Sequence, residues 1–191
     1  MRLPRLPRRL QHGQSAELVD HLDELRTRLF VSVFAIAGGF AVAYVFHARL
    51  IGWLNQPLPL DHRRPVTFGI AEPFMTSMKV SLAAGFALAL PIVLWQVWAY
   101  LAPAFEHRLQ RTLASFVAFA TGLFALGLAF AYRVALPAAV HFLTNYDNNL
   151  YNVQVRAQNY YSFALMVLVA VGLVFEIPVF VLALVRLRIT T

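Results

Sequence analysis

The sequence has no cysteine and little charge: only 13% of its 191 residues are Asp, Glu, Lys or Arg, and just nine are acidic. Without thiols there can be no disulfide framework, no thiolate metal site and no cysteine nucleophile. The six histidines are scattered without ligand spacing, so no metal site is expected, and neither a Walker loop nor a dinucleotide fingerprint occurs, so no cofactor is expected. No G-x-S-x-G motif is present and no long apolar run contains a histidine, which leaves a serine hydrolase without its base. The residues therefore point away from an enzyme. The charge that is present is unbalanced, at +7 net. Because the basic residues lie between apolar runs, they are read as orientation signals and contacts to anionic lipid, not as a nucleic-acid surface.

Apolar sequence takes the place of charge. Sixty per cent of residues are hydrophobic and the mean hydropathy is +0.63, far too apolar for a soluble domain of this size. Apolar runs long enough to cross a bilayer fall at about 29–46, 80–101, 112–132 and 160–185. The expected fold is all-α, a polytopic membrane bundle of four spans with connecting loops at 47–79 and 133–159. The first loop is polar and proline-rich and is expected to fold over the membrane surface as a cap. Ahead of the spans, residues 1–15 form a basic arm. Its Arg8-Arg9 pair is not an export signal, since the polar run 11–28 follows where an apolar core would be required.

Residues 16–28 read as an amphipathic helix lying at the membrane interface, with Leu18, Leu22, Leu25 and Leu29 on one face. The pairs Glu24 with Arg28, and Asp23 with Arg26, have the spacing of a self-paired, solvated surface, which accounts for them without function. In the first span, Gly38-Gly39 permits close helix approach or a bend. In the third, Ala118 with Gly122 and Ala125 with Ala129 have small-residue spacing for close packing. Pro91 should kink the second span, and the aromatic run from Trp95 through Trp98 to Tyr100 should settle at the interface. Ten of the sixteen Lys and Arg residues lie at the two ends and in the loop after the second span, which favours both termini in the cytoplasm.

One carboxylate stands inside the last apolar run. Glu176 lies about 24 Å along the helix from Tyr160 and about 14 Å from Val185 at 1.5 Å per residue. Two residues on, Pro178 leaves the carbonyl of Val174 without its helical partner. An ionisable group in such a place faces other helices or a wet cavity and marks a functional site by default. The plainer reading is that Glu176 binds one neighbouring helix and holds the bundle together. Two functions remain open on this basis: a receptor or channel component for another polypeptide, and a proton-coupled secondary transporter using Glu176. The transporter would call for inverted repeats with paired broken helices, of which Pro91 and Pro178 are a faint version.

Four motifs, in order, resemble the TatC family, the multispanning core of the twin-arginine protein translocase. His21-Leu22-Asp23-Glu24-Leu25-Arg26-Thr27-Arg28-Leu29 is similar to that family's H-L-x-E-L-R-x-R-L helix. Glu72-Pro73-Phe74 with Lys79, then Pro91 with the segment from Gln96 through Trp98 and Tyr100 to Pro103, and finally Phe175-Glu176-Ile177-Pro178 complete the match. The resemblance implies a receptor for the twin-arginine signal peptides of folded precursors. It further implies a place in the bacterial inner membrane with a cytoplasmic N-terminus, action with TatA, TatB and other copies of itself, and the protonmotive force as driver. It carries signal binding to Glu24, Arg26, Tyr100 and Pro103. It gives Glu176 the role of the family's intramembrane glutamate and Pro57 that of its cap-loop proline, with His21, Glu72, Pro73, Phe74, Gln96, Trp98 and Pro178 as structural positions. The sequence departs from the family where a loop glutamate is expected: the ungapped equivalent is Leu109, and Glu106 supplies a carboxylate one helical turn earlier. The family has six spans, so sites expected on the fifth and sixth are not assigned here.

Overall fold

The computed structural model describes residues 12–101, 113–146, 150 and 153–186, and among them it is helical with no strand beyond one isolated bridge. The helices are α1 (His12–Val45), α2 (His47–Leu54), α3 (Glu72–Leu101), α4 (Leu113–Phe130), α5 (Leu136–Asn145) and α6 (Ala157–Arg186). Four stretches are long and apolar enough to cross a membrane: His21–Val45, Glu72–Tyr100, Ala114–Asn145 and Ala157–Leu182. A helix of 30 residues such as α3 or α6 is about 45 Å long. The hydrocarbon core is about 30 Å thick, so both ends stand clear of it.

The amphipathic segment and the first span form one continuous helix, α1. Leu22, Leu25 and Leu29 are exposed along it, as an apolar stripe facing lipid would be, while Glu24 and Arg28 turn inward and are half-buried. Lipid tails are as apolar as leucine, so helices in a bilayer associate by close packing rather than by hydrophobic burial. Glycine sets that closeness at two crossings. A Cβ on Gly39 would lie 2.4 Å from the carbonyl oxygen of Gly85, and one on Gly85 would lie 2.4 Å from the amide nitrogen of Phe40, so the backbones of α1 and α3 touch. The neighbouring Gly38 has nothing within 4 Å. Between α4 and α6, a Cβ on Gly127 would meet Phe175 at 2.9 Å and the Cα of Gly172 at 3.0 Å.

Three expectations are corrected here. The small-residue set in α4 is not the packed face: Ala118, Gly122, Ala125 and Ala129 are exposed, and Gly127 makes the close contact instead. Trp98 is not an interfacial aromatic. It is buried, edge-on to Phe116 with ring centroids 4.6 Å apart, in a core with Leu90, Leu94, Val117, Phe124 and Val179. Of that run only Trp95 is well exposed. The segment after Arg133 is not an extended connection: a π-helical turn, Ala131–Ala135, joins α4 to α5 and carries helix on to Asn145. A π turn inserts one residue without breaking the helix, and Pro137 follows it in the first turn of α5. The helices α3 and α6 likewise continue through Pro91 and Pro178.

A second core lies at the opposite end of the bundle, where Leu54, Leu58, Val80, Leu136, Val140 and Tyr160 pack under the loop that follows α2. The hydroxyl of Tyr160 donates to the carbonyl of Leu54, and that of Tyr161 donates to Asn55 Oδ1 at 2.7 Å. Pro57, half-buried, sits in the turn closed by the bond from Leu58 N–H to the Asn55 carbonyl. These contacts pin the cap to the start of α6.

Candidate functional site

Three sets of polar groups interrupt this apolar architecture. The first is in the cap. Glu72, in the first turn of α3 at the end that stands clear of the hydrocarbon core, is buried. Arg156 meets it with both prongs, Nε to Oε1 at 3.1 Å and Nη2 to Oε2 at 3.3 Å. The N–H groups of Phe68, Gly69 and Gln158 donate to the same carboxylate at 3.0, 3.3 and 3.0 Å. The Arg156 guanidinium above all, with the three amides, holds the Glu72 carboxyl down to about 2 against the opposing effect of burial. The backbone of Val66 bridges to Val155 and Ala157, so Glu72 ties the loop before α3 to the segment before α6. Pro73 and Phe74 follow it on the outer surface, both exposed.

The second set lies at the far end of α3. Both Nε and Nη2 of Arg28 donate to Oε1 of Glu24, the former at 2.9 Å, and Nη1 reaches Oε1 of Gln96 at 3.4 Å. His21 stacks on Tyr100 with ring centroids 4.3 Å apart, and its Nδ1 is 3.8 Å from Oε2 of Glu24. Two stacked rings and one shared guanidinium thus fasten α1 to the last turns of α3. Arg26 lies over the Phe30 ring at 5.7 Å and does not pair with Asp23 among the described residues. Of the residues expected to bind a signal, Glu24 and Tyr100 come together here and Arg26 lies on the neighbouring face. Pro103 and Glu106 lie outside the described residues. Sequence reasoning paired Arg28 with Glu24 as a solvated surface and gave Gln96 a structural position, but did not join the three. The i, i+4 spacing of Glu24 and Arg28 was visible, but the reach to Gln96 across 68 residues needed the fold.

The third is Glu176. It is 3% exposed, and neither carboxylate oxygen has a hydrogen-bond partner among the described residues. Gly172, one turn before it, would meet Phe124 with a Cβ, and Val179, one turn after, is buried with Phe124, Val117 and Leu94. The side of α6 that carries Glu176 therefore faces α4 and α3. Thr121 on α4 also has a buried hydroxyl without a partner. Pro178 and Ile177 point outward.

A capped bundle of apolar helices, with one bare carboxyl buried among its spans and a polar corner at the end away from the cap, is a multi-span membrane protein, and its described residues form no catalytic constellation. Residues 20–191 match the family model described as Sec-independent protein translocase protein (TatC). The chain is 33% identical to the Sec-independent protein translocase protein TatC of Carboxydothermus hydrogenoformans, over 90% of this chain and 71% of the relative. It is 38% identical to that of Campylobacter jejuni, over 85% and 69%, and 33% identical to the chloroplastic protein of Arabidopsis thaliana, over 92% and 52%. A crystal structure described as the twin arginine translocase receptor TatC superimposes with a TM-score of 0.81 at 32% identity, covering 90% of this chain and 77% of that one. The chain belongs to the TatC family, a family of protein translocase components and not of enzymes.

Proposed function

We propose that the polar corner formed by α1 and the end of α3 recognises the twin-arginine signal peptides of folded precursors at the cytoplasmic face of the bacterial inner membrane. The observation that carries this reading is Glu24. Its Oε1 is taken by Arg28, but Oε2 accepts nothing closer than the ring nitrogen of His21 at 3.8 Å. A guanidinium offers paired N–H donors to a carboxylate, and Glu24 presents an oxygen to one beside the flat Tyr100 ring. Glu106 and Pro103 follow directly on α3, and Glu106 supplies a second carboxylate for the second arginine. Arg26 stands on the exposed face and steers the docking surface. TatA, TatB and further copies of the chain are the assembly partners, and the protonmotive force drives the cycle.

The orientation rests on the excess of Lys and Arg at the two chain ends and in the loop after α3. It puts the cap outside and the polar corner in the cytoplasm, where an unexported precursor is found. Small-solute transport by Glu176 is the weaker reading, since α3 and α6 run unbroken through their prolines and such transporters build their sites from broken helices. The test is photo-crosslinking in membranes from position 24 or 106 to a precursor whose signal carries Arg-Arg or Lys-Lys. Adducts are expected with Arg-Arg and largely absent with Lys-Lys. Equal adducts with both would sink the assignment.

A further inference from the structure

The cap-side half of the bundle encloses a cavity of about 770 Å³ between α1, α2, α3, α4 and α6. This is within the range of ligand sites, roughly 300 to 1,000 Å³. Its walls are almost wholly apolar, with Ala83, Ala87, Leu128, Leu168 and Val169 among them. It opens sideways between side chains that are themselves exposed, including Val42, Phe46, Trp53 and Leu88. A pocket that opens on the flank of a membrane span meets lipid and not water.

The polar groups gather at one end. The Tyr132 hydroxyl shares its one proton between the carbonyl of Trp53 at 2.9 Å and Gln56 Oε1 at 3.1 Å, and the Gln56 amide donors are free among the described residues. Arg49 stands one turn before Trp53 with its guanidinium over the Phe46 ring, 5.6 Å from the centroid, and Arg133 follows Tyr132. Both arginines are exposed, and neither meets a carboxylate or other acceptor among the described residues. Arg49 thus stacks on one lining residue, Phe46, and Arg133 adjoins another, Tyr132, and two unneutralised guanidiniums at these places match an anionic headgroup joined to acyl chains.

We infer that this cavity is a binding site for one anionic phospholipid of the cap-side leaflet. Its acyl chain lies between α1, α3, α4 and α6, and its phosphate is held by Arg49 and Arg133, with Gln56 donating to the ester oxygens. A bound lipid would fill a space that the described side chains leave open and would join α2 to the turn between α4 and α5. This assignment is independent of the signal-peptide reading, because it uses the opposite end of the bundle.

The test is native mass spectrometry of the purified chain after addition of equal amounts of phosphatidylglycerol and phosphatidylcholine. One lipid should be retained, with phosphatidylglycerol preferred by roughly fivefold for each arginine. Arg49→Gln with Arg133→Gln should remove the preference. Ala129→Phe, at an exposed wall position, should reduce retention of either lipid without changing the melting temperature. Equal retention of both lipids by the native chain, or retention indifferent to Ala129→Phe, would overturn the proposal. If Ala129→Phe fails to fold, a photo-crosslinking residue at position 53 in membranes decides: a lipid adduct supports the site, and an adduct with a second copy or another protein helix replaces it.

Discussion

At the scale of single residues, the two described carboxylates that are held by arginine differ in what holds them. Glu24 is shared by one arginine of its own helix and remains half-exposed, whereas Glu72 is enclosed by an arginine and three amides from two loops. A helical pair four residues apart that solvent still reaches is worth about 0.3 to 0.5 kcal/mol, so Arg28 is readily displaced by an incoming guanidinium. Arg28→Ala is therefore expected to leave folding intact and to raise crosslinking of an Arg-Arg signal from position 106, while Glu24→Gln lowers it roughly tenfold as a charge-assisted bond is lost. No change with either variant would remove Glu24 from the site. For Glu72 the pH dependence has a definite sign. Its carboxyl titrates near 2 in the folded protein against an ordinary 4.5. Its contribution to stability is complete above about pH 4.5 and is lost as pH falls from there through 2. Melting of the purified chain between pH 7 and pH 2 should show that loss, and Glu72→Gln should flatten the profile while lowering the plateau at neutral pH.

At the scale of elements, the helices meet where glycine lets backbones touch. Gly85→Ala places a Cβ 2.4 Å from backbone atoms of α1 that cannot swing aside. Overpacking of this kind costs about 1 to 3 kcal/mol, and the backbone obstruction puts Gly85 at the upper end. Gly38→Ala, in open space, should be neutral or slightly stabilising because alanine favours helix. Thermal melting of the two variants, side by side, checks the pair. This contrast also marks how far the sequence can be read. The spans stood out because each is an apolar run of the required length, and Glu176 stood out because a single carboxylate in such a run has no local explanation. Gly38-Gly39 flagged the crossing of α1, yet only the fold picks Gly39 as the contact and Gly85 as its partner, since contact depends on which side of each helix faces the other. Trp98 misled for the same reason: its neighbour Trp95 does face outward, and an aromatic run near a span's end looks interfacial until the rotation of the helix is known. The link from Glu72 to Arg156 spans 84 residues, and no local pattern could have paired them.

At the scale of the whole molecule, the described residues concentrate their polar chemistry at three heights: a bonded cap, an open polar corner at the other end, and between them one buried carboxyl that meets no hydrogen-bond partner among them. The cap contacts join α3 to the start of α6 and stabilise the fold, whereas Glu176 does the reverse. An unsatisfied buried polar group costs about 1 to 3 kcal/mol, and replacing it by an apolar group of similar size removes that cost. If Glu176 were only the bond that holds the bundle together, Glu176→Leu would lower the melting temperature. The bare oxygens and the packed neighbours Val179 and Phe124 predict the opposite: Glu176→Leu should melt at a higher temperature than the native chain and Glu176→Gln close to it. Both should lose precursor export in a translocation assay with inner-membrane vesicles. A rise in stability together with a loss of export would mean that the carboxyl is kept for a partner met during translocation, and that its cost to the resting protein is the mark of that use. A fall in stability would assign Glu176 to the scaffold.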